Sequence, residues 1–171
     1  MLPTSIKAGI DRAIASDDAV GVRDAWRKIY NHVDSVEITY WPPLAVDAMC
    51  YVLIRASELN RYPLREVANE LMHSWHDVPD DGRDRIVKAM MPILPKTRDE
   101  WTIADFLDCV LHPLEGDVGI ARCTQLYREC PSLRPHILAG LGDRAMTATE
   151  PVSRERYRRA RTELLSSEHE A

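Results

Sequence analysis

Three side chains near position 70 have the types and the spacing of metal ligands. Glu70 and His73 form a Glu-x-x-His pair, and His73 and His76 form a His-x-x-His pair. On a helix, residues three or four positions apart share one face, so Glu70 and His73 can approach the same ion. Di-metal sites in helical bundles need a second such pair and two further glutamates, and the sequence has no second Glu-x-x-His pair. We therefore expect no metal and no other cofactor, and keep a helical metalloenzyme that uses Glu70, His73 and His76 as an alternative hypothesis.

A second group of candidate residues is a run of arginines near the C-terminal end. Phosphate binding requires such cations, but Glu155 and Glu163 interrupt the run, and a mixed pattern is typical of an exposed helix with intrahelical ion pairs. A nucleic-acid adaptor that uses these residues is a further alternative, although a net charge of −5 makes nucleic acid an improbable partner. The arginines are Arg154, Arg156, Arg158, Arg159 and Arg161.

Aromatic residues beside carboxylates indicate a third kind of site, a surface that binds another protein. Tyr40 and Trp41 precede a proline pair that stiffens the chain, and Asp77, Asp80 and Asp81 form an acidic turn farther along. Aromatic side chains anchor many protein interfaces, and carboxylates steer basic partners. We predict that these five residues contact a partner, while spacing alone leaves open whether the two segments are adjacent. The alternative is that both rings fold back onto the following helix.

Motifs for other chemistry are absent from the sequence. It contains no Gly-x-Ser-x-Gly turn, no Gly-x-Gly-x-x-Gly loop and no Walker sequence, which removes the sequence support for a serine hydrolase or a nucleotide-binding enzyme. No run of about 18 apolar residues predicts a membrane span. Cys50, Cys109, Cys123 and Cys130 form no Cys-x-x-Cys pair. These features predict a cytoplasmic chain with reduced cysteines.

The elements that must position these residues are helices. Eleven prolines divide the chain into apolar segments of helical period, and proline is tolerated in the first turn of a helix but breaks its interior. We expect helices that open after a cap at Asp17 or Asp18, at Pro42 and Pro43, at Pro63 and at Pro79. A segment that alternates like a strand (residues 36–41) is interpreted as an extended connection, and Gly140 and Gly142 are expected to end a helix.

This pattern predicts an all-α fold with eight or nine short antiparallel helices in a single domain over residues 1–171. The helix spacing resembles that of the HEAT and armadillo repeat families, a resemblance in spacing alone that implies a two-layer solenoid. An irregular bundle is the alternative architecture.

An acidic, helical chain without a cofactor motif favours a non-catalytic protein-binding module. Bacterial immunity proteins and antitoxins are acidic inhibitors of this general type, and they block a partner through electrostatic and aromatic complementarity. We therefore expect the partner to be a basic or neutral protein, and not a membrane.

Overall fold

The computed structural model describes residues 1–29 and 41–169. Within these ranges the regular structure consists of helices alone, as predicted, with nine α-helices and several short 3₁₀ turns. None of the described helices is long and apolar enough to cross a bilayer. The α-helices are α1 (Thr4–Ala15), α2 (Ala19–Arg27), α3 (Pro43–Leu59), α4 (Arg65–His73), α5 (Asp80–Met90), α6 (Glu100–Val110), α7 (Gly116–Glu129), α8 (Arg134–Thr147) and α9 (Pro151–His169).

Caps and prolines start several of these helices where the sequence predicts. The Asp18 carboxylate accepts a hydrogen bond of 2.9 Å from the Gly21 backbone N–H, which satisfies an amide that the first turn of α2 leaves free. Helix α3 begins at Pro43, and α5 begins directly after Pro79. Of the strand-like segment, residues 36–40 lie outside the described residues, and Trp41 has no regular structure.

The predicted end of α8 is wrong. The helix continues through Gly140 and Gly142 to Thr147. A Cβ atom on Gly140 would lie 3.1 Å from Leu111 Cδ1, and one on Gly142 would lie 3.4 Å from Arg161 Nε. Both glycines therefore lie inside the helix and neither acts as a C-cap, and a neighbouring side chain approaches closely at Gly140 alone of the two.

The chain divides into two compact units, Met1–Thr102 and Ile103–Ala171. In the first unit, α3 packs against α1 and α5, and α2 packs against α1 and α4. Helix α3 is the central element, because eight of its side chains are buried. In the second unit, α9 packs against α7 and α8, and the buried Tyr157 hydroxyl donates a hydrogen bond of 2.7 Å to the Leu111 carbonyl.

Candidate functional site

A groove of about 510 Å³ lies between α2 and α4 in the first unit. We call it the α2–α4 groove. Helix α2 forms one wall, α4 and the turn that follows it form the other, and Trp41 completes the lining. The lining residues are Arg23, Trp26, Arg27, Trp41, Glu66, Asn69, Glu70, His73, Ser74 and Asp77.

Two tryptophans pack against each other beneath this groove. The ring centroids of Trp26 and Trp41 lie 4.9 Å apart, with an angle of 41° between the ring planes. The Trp26 Nε1–H donates a hydrogen bond of 3.2 Å to the Ala45 carbonyl at the start of α3. Trp41 is only 5% exposed, so its ring contributes mainly to the core and reaches the groove with a small part of its surface. The Trp41 ring thus packs inward against Trp26 of α2, whereas the alternative placed both rings on the helix that follows them.

The structure brings Trp41 and Asp77 together across a separation of 36 positions. The Trp41 backbone N–H donates a hydrogen bond of 2.9 Å to the Asp77 carbonyl, and both residues line the groove. Tyr40, the other predicted aromatic contact, lies outside the described residues. Trp41 of the first predicted segment and Asp77 of the second are therefore neighbours, which sequence spacing left open.

Asp80 and Asp81 follow Asp77 at the first turn of α5, where carboxylates are stabilised by the helix dipole. Both are exposed, and Asp80 forms an ion pair with Arg83. The Arg83 guanidinium is largely buried and also donates a hydrogen bond of 2.7 Å to the Val78 carbonyl. The acidic turn is thus held in shape while its carboxylates remain accessible.

A ladder of two ion pairs connects the walls of the groove. Arg23 Nη1 lies 3.0 Å from a carboxylate oxygen of Glu66. One helical turn farther along both helices, Arg27 Nε donates to both carboxylate oxygens of Glu70, at 3.0 and 2.9 Å. Partly exposed pairs of this kind each stabilise by about 0.2–1 kcal/mol, so their main effect is to fix the position of α2 relative to α4.

The three candidate metal ligands do not form one group in the structure, and two of them contact other side chains. Arg27 occupies the Glu70 carboxylate, His73 is exposed at the end of α4, and His76 Nε2 lies 3.3 Å from Asp77 Oδ1. Over residues 1–29 and 41–169, no three His, Cys, Asp or Glu side chains are grouped closely enough to hold a metal ion. Elemental analysis tests the metalloenzyme hypothesis: about one metal per chain, lost on His73→Ala, would support it.

The C-terminal arginines are largely engaged by neighbouring groups. Two of them form ion pairs within α9, as the exposed-helix interpretation predicts, and two others contact α7 and α8. These contacts join Arg158 to Glu155, Arg159 to Glu163, Arg156 to Asp117 and Arg161 to the Leu138 carbonyl. This helix therefore offers fewer free cations than its sequence suggests.

Sequence reasoning missed two features. The Arg23/Arg27 pair was not singled out, although its spacing of four matches that of Glu66 and Glu70. The second is Trp101, which lies at the start of α6 and is 64% exposed. No sequence signal distinguishes its environment from that of the buried tryptophans.

Comparison with known proteins adds no relative: no protein-family model, curated protein or solved structure matches this chain.

Proposed function

We propose that this chain is a non-catalytic protein-binding module, of the type represented by bacterial immunity proteins and antitoxins, and that its α2–α4 groove and acidic turn bind a basic or neutral partner. The observation that carries the proposal is the hydrogen bond from the Trp41 N–H to the Asp77 carbonyl. It joins Trp41 to Asp77, the first residue of the acidic turn, at the groove that both residues line.

Preorganisation of this surface supports the proposal. The Trp26–Trp41 pair, together with the Arg27–Glu70 ion pair, holds both walls of the groove in place. A partner then orders few side chains when it binds, and each side chain that needs no ordering saves about 0.5–1.5 kcal/mol of binding free energy.

The charge of the surface sets the kind of partner. Three carboxylates and two guanidiniums line the groove, and the exposed Asp80 and Asp81 continue from its edge along the chain. The carboxylate excess favours a basic or neutral protein surface. Charges at an exposed rim act mostly on the rate of association, and salt weakens them.

Site-specific crosslinking tests this function. A photo-crosslinking amino acid at Asn69, which is exposed in the groove, should form a covalent adduct with one partner protein in the native cell. The same amino acid at Arg128, an exposed position on α7, is the matched control and should form none. Equal adducts from both positions, or an adduct from Arg128 alone, would contradict the proposal.

Charge neutralisation tests the role of the acidic turn. With the captured partner, the triple change Asp77→Asn, Asp80→Asn and Asp81→Asn should slow association and flatten its dependence on salt. A control removes equal charge at exposed positions of the second unit, through Glu129→Gln, Asp143→Asn and Glu150→Gln. If both triple variants associate alike, the partner binds elsewhere.

The proposed location is the cytoplasm. Its support is that all four cysteines are free, three of them buried in the apolar interior, as is usual for proteins of a reducing compartment.

A further inference from the structure

Trp101 differs from the other tryptophans in its exposure to solvent. It is 64% exposed, whereas Trp26, Trp41 and Trp75 are at most 5% exposed. Burying a large apolar side chain is worth about 1.5–3 kcal/mol, and this indole forgoes most of that stabilisation. A tryptophan left in solvent is available as an anchor for a partner, the role in which this residue type is most enriched.

A cation lies over the exposed ring. The guanidinium carbon of Arg65 is 5.8 Å from the centroid of the Trp101 ring, within the range of a cation–π interaction. Arg65 is itself exposed and forms no ion pair with any residue in the described ranges. The contact orders both side chains in advance, which lowers the entropy that a partner would have to remove.

The chain immediately before Trp101 adds two further cations. Lys96 and Arg98 precede the tryptophan closely in sequence, are exposed, and likewise have no ion-pair partner among the described residues. Of the two neighbouring carboxylates, that of Asp99 accepts hydrogen bonds from the Thr102 N–H and hydroxyl, at 2.8 and 2.6 Å. The Asp99 carboxylate keeps its charge while it caps α6, so three cations stand against two carboxylates, those of Asp99 and Glu100, on a chain whose net charge is −5.

We propose that Arg65, Lys96, Arg98 and Trp101, here called the Trp101 patch, bind an acidic segment of a partner protein that carries at least one apolar side chain. The apolar side chain would pack on the indole, and the acidic groups would pair with the cations that lack carboxylate partners. This is a second binding surface, with a charge preference opposite to that of the α2–α4 groove. Single-stranded nucleic acid stacks successive bases on several aromatic side chains. The Trp101 patch contains one aromatic residue, which favours a protein segment with a single apolar anchor.

Collisional quenching of fluorescence tests the charge of the patch without a partner. Because the other three indoles are buried, quenching should come mainly from Trp101, and Trp101→Phe should abolish it. Quenching by each ion is expressed relative to its quenching of the uncharged compound N-acetyltryptophanamide, because iodide is intrinsically the stronger quencher. On this scale iodide should exceed caesium, since an anion is concentrated near the cations. The triple change Arg65→Gln, Lys96→Gln and Arg98→Gln should remove that difference. Equal quenching by the two ions at low salt would overturn the proposal.

Binding of defined probes tests the kind of partner. The probes are a labelled 12-residue peptide of Asp and Glu with a central Leu-Phe pair, its lysine counterpart with the same apolar pair, and a dT12 oligonucleotide. The acidic peptide should bind most tightly, and Trp101→Ala and Arg65→Gln should each weaken it at least about tenfold. Arg128→Gln, which removes an exposed cation elsewhere, should leave binding unchanged.

Each other result would overturn the proposal. Tighter binding of dT12 would assign the patch to nucleic acid, and tighter binding of the lysine peptide would reverse its charge preference. Absence of binding by all three probes would also contradict it, as would an unchanged affinity of Trp101→Ala. Circular dichroism of each variant confirms that it is folded.

Discussion

Individual tryptophans in this protein differ in how deeply they are buried. Trp41 contacts the core through its ring and the acidic turn through its backbone N–H. Trp101 presents its ring to solvent. A buried ring adds packing energy, whereas an exposed ring adds almost none. Truncation should therefore destabilise the protein strongly at Trp41 and hardly at all at Trp101.

We predict that Trp41→Ala lowers the free energy of unfolding by about 3–5 kcal/mol, the usual cost of truncating a buried aromatic side chain. Trp101→Ala should change it by less than about 0.5 kcal/mol, as an exposed substitution does. Urea unfolding followed by circular dichroism measures both without relying on the tryptophans. Equal losses in the two variants would contradict the assigned environments.

Cysteine reactivity is a second prediction for single residues. Burial raises the pKa of the Cys123 thiol to about 12, and burial also raises the pKa of Cys109 well above its usual value. Since the thiolate is the reactive form, neither should react with a disulfide reagent at pH 8 in the folded protein. Cys130 is partly exposed and should react first.

The measurement is a count of modified thiols with Ellman's reagent. One fast thiol is expected in the native protein, and all four of the chain's cysteines should react in denaturant. Cys130→Ser should remove the fast phase. Modification of Cys123 at the rate of Cys130, with the helical spectrum intact, would show that the second unit opens readily.

At the scale of elements, α3 organises the first unit. Its apolar residues cover a wide face, and Leu53 is fully buried whereas the next residue, Ile54, is 49% exposed. We expect Leu53→Ala to destabilise by about 2–5 kcal/mol through lost burial and the cavity that remains. Ile54→Ala, its neighbour on the exposed side, should cost less than about 1 kcal/mol. Denaturant titration compares them, and a loss below about 1 kcal/mol for Leu53→Ala would remove α3 from the centre of the core.

Two helical glycines provide a matched pair in the second unit. A Cβ on Gly119 would lie 2.1 Å from the Val110 carbonyl oxygen, whereas one on Gly142 would meet no atom closer than 3.4 Å. Gly119→Ala should therefore destabilise by at least about 1–3 kcal/mol through overpacking. Gly142→Ala should be neutral or stabilise by up to about 1 kcal/mol through helix propensity. Thermal unfolding that ranks the two variants in the reverse order would contradict the packing of α7 on the end of α6.

Local signals account for what sequence analysis predicted at this scale. A carboxylate cap at Asp18 and a proline at position 43 act within one helical turn, so the starts of α2 and α3 follow from the sequence. The continuation of α8 through Gly140 and Gly142 depends on side chains from distant parts of the chain, which outweigh the tendency of glycine to end a helix. The proximity of Trp41 and Asp77 also depends on tertiary packing. Sequence therefore identified candidate residues, while their arrangement required the structure.

At the scale of the whole molecule, the two units carry separate natural probes. All four tryptophans lie in the sequence of the first unit, while Cys109, Cys123 and Cys130 lie in that of the second. The division falls within α6, whose helix runs from Glu100 to Val110. Tryptophan fluorescence therefore reports unfolding of the first unit, and exposure of buried thiols reports unfolding of the second.

We expect the two probes to give the same urea midpoint, because a helix that contributes residues to both units should couple their unfolding. Such coincidence is the standard test of a two-state transition, and it would support the single domain that the sequence predicts. Pulsed thiol labelling at each urea concentration, with Cys50 and Cys130 replaced by Ser, restricts the second probe to the buried Cys109 and Cys123. Introducing a glycine within α6, by Ala104→Gly at an exposed position, should lower both midpoints together by weakening the shared helix. Separate midpoints in the parent protein, with only one of them shifted by Ala104→Gly, would instead establish two independently unfolding domains.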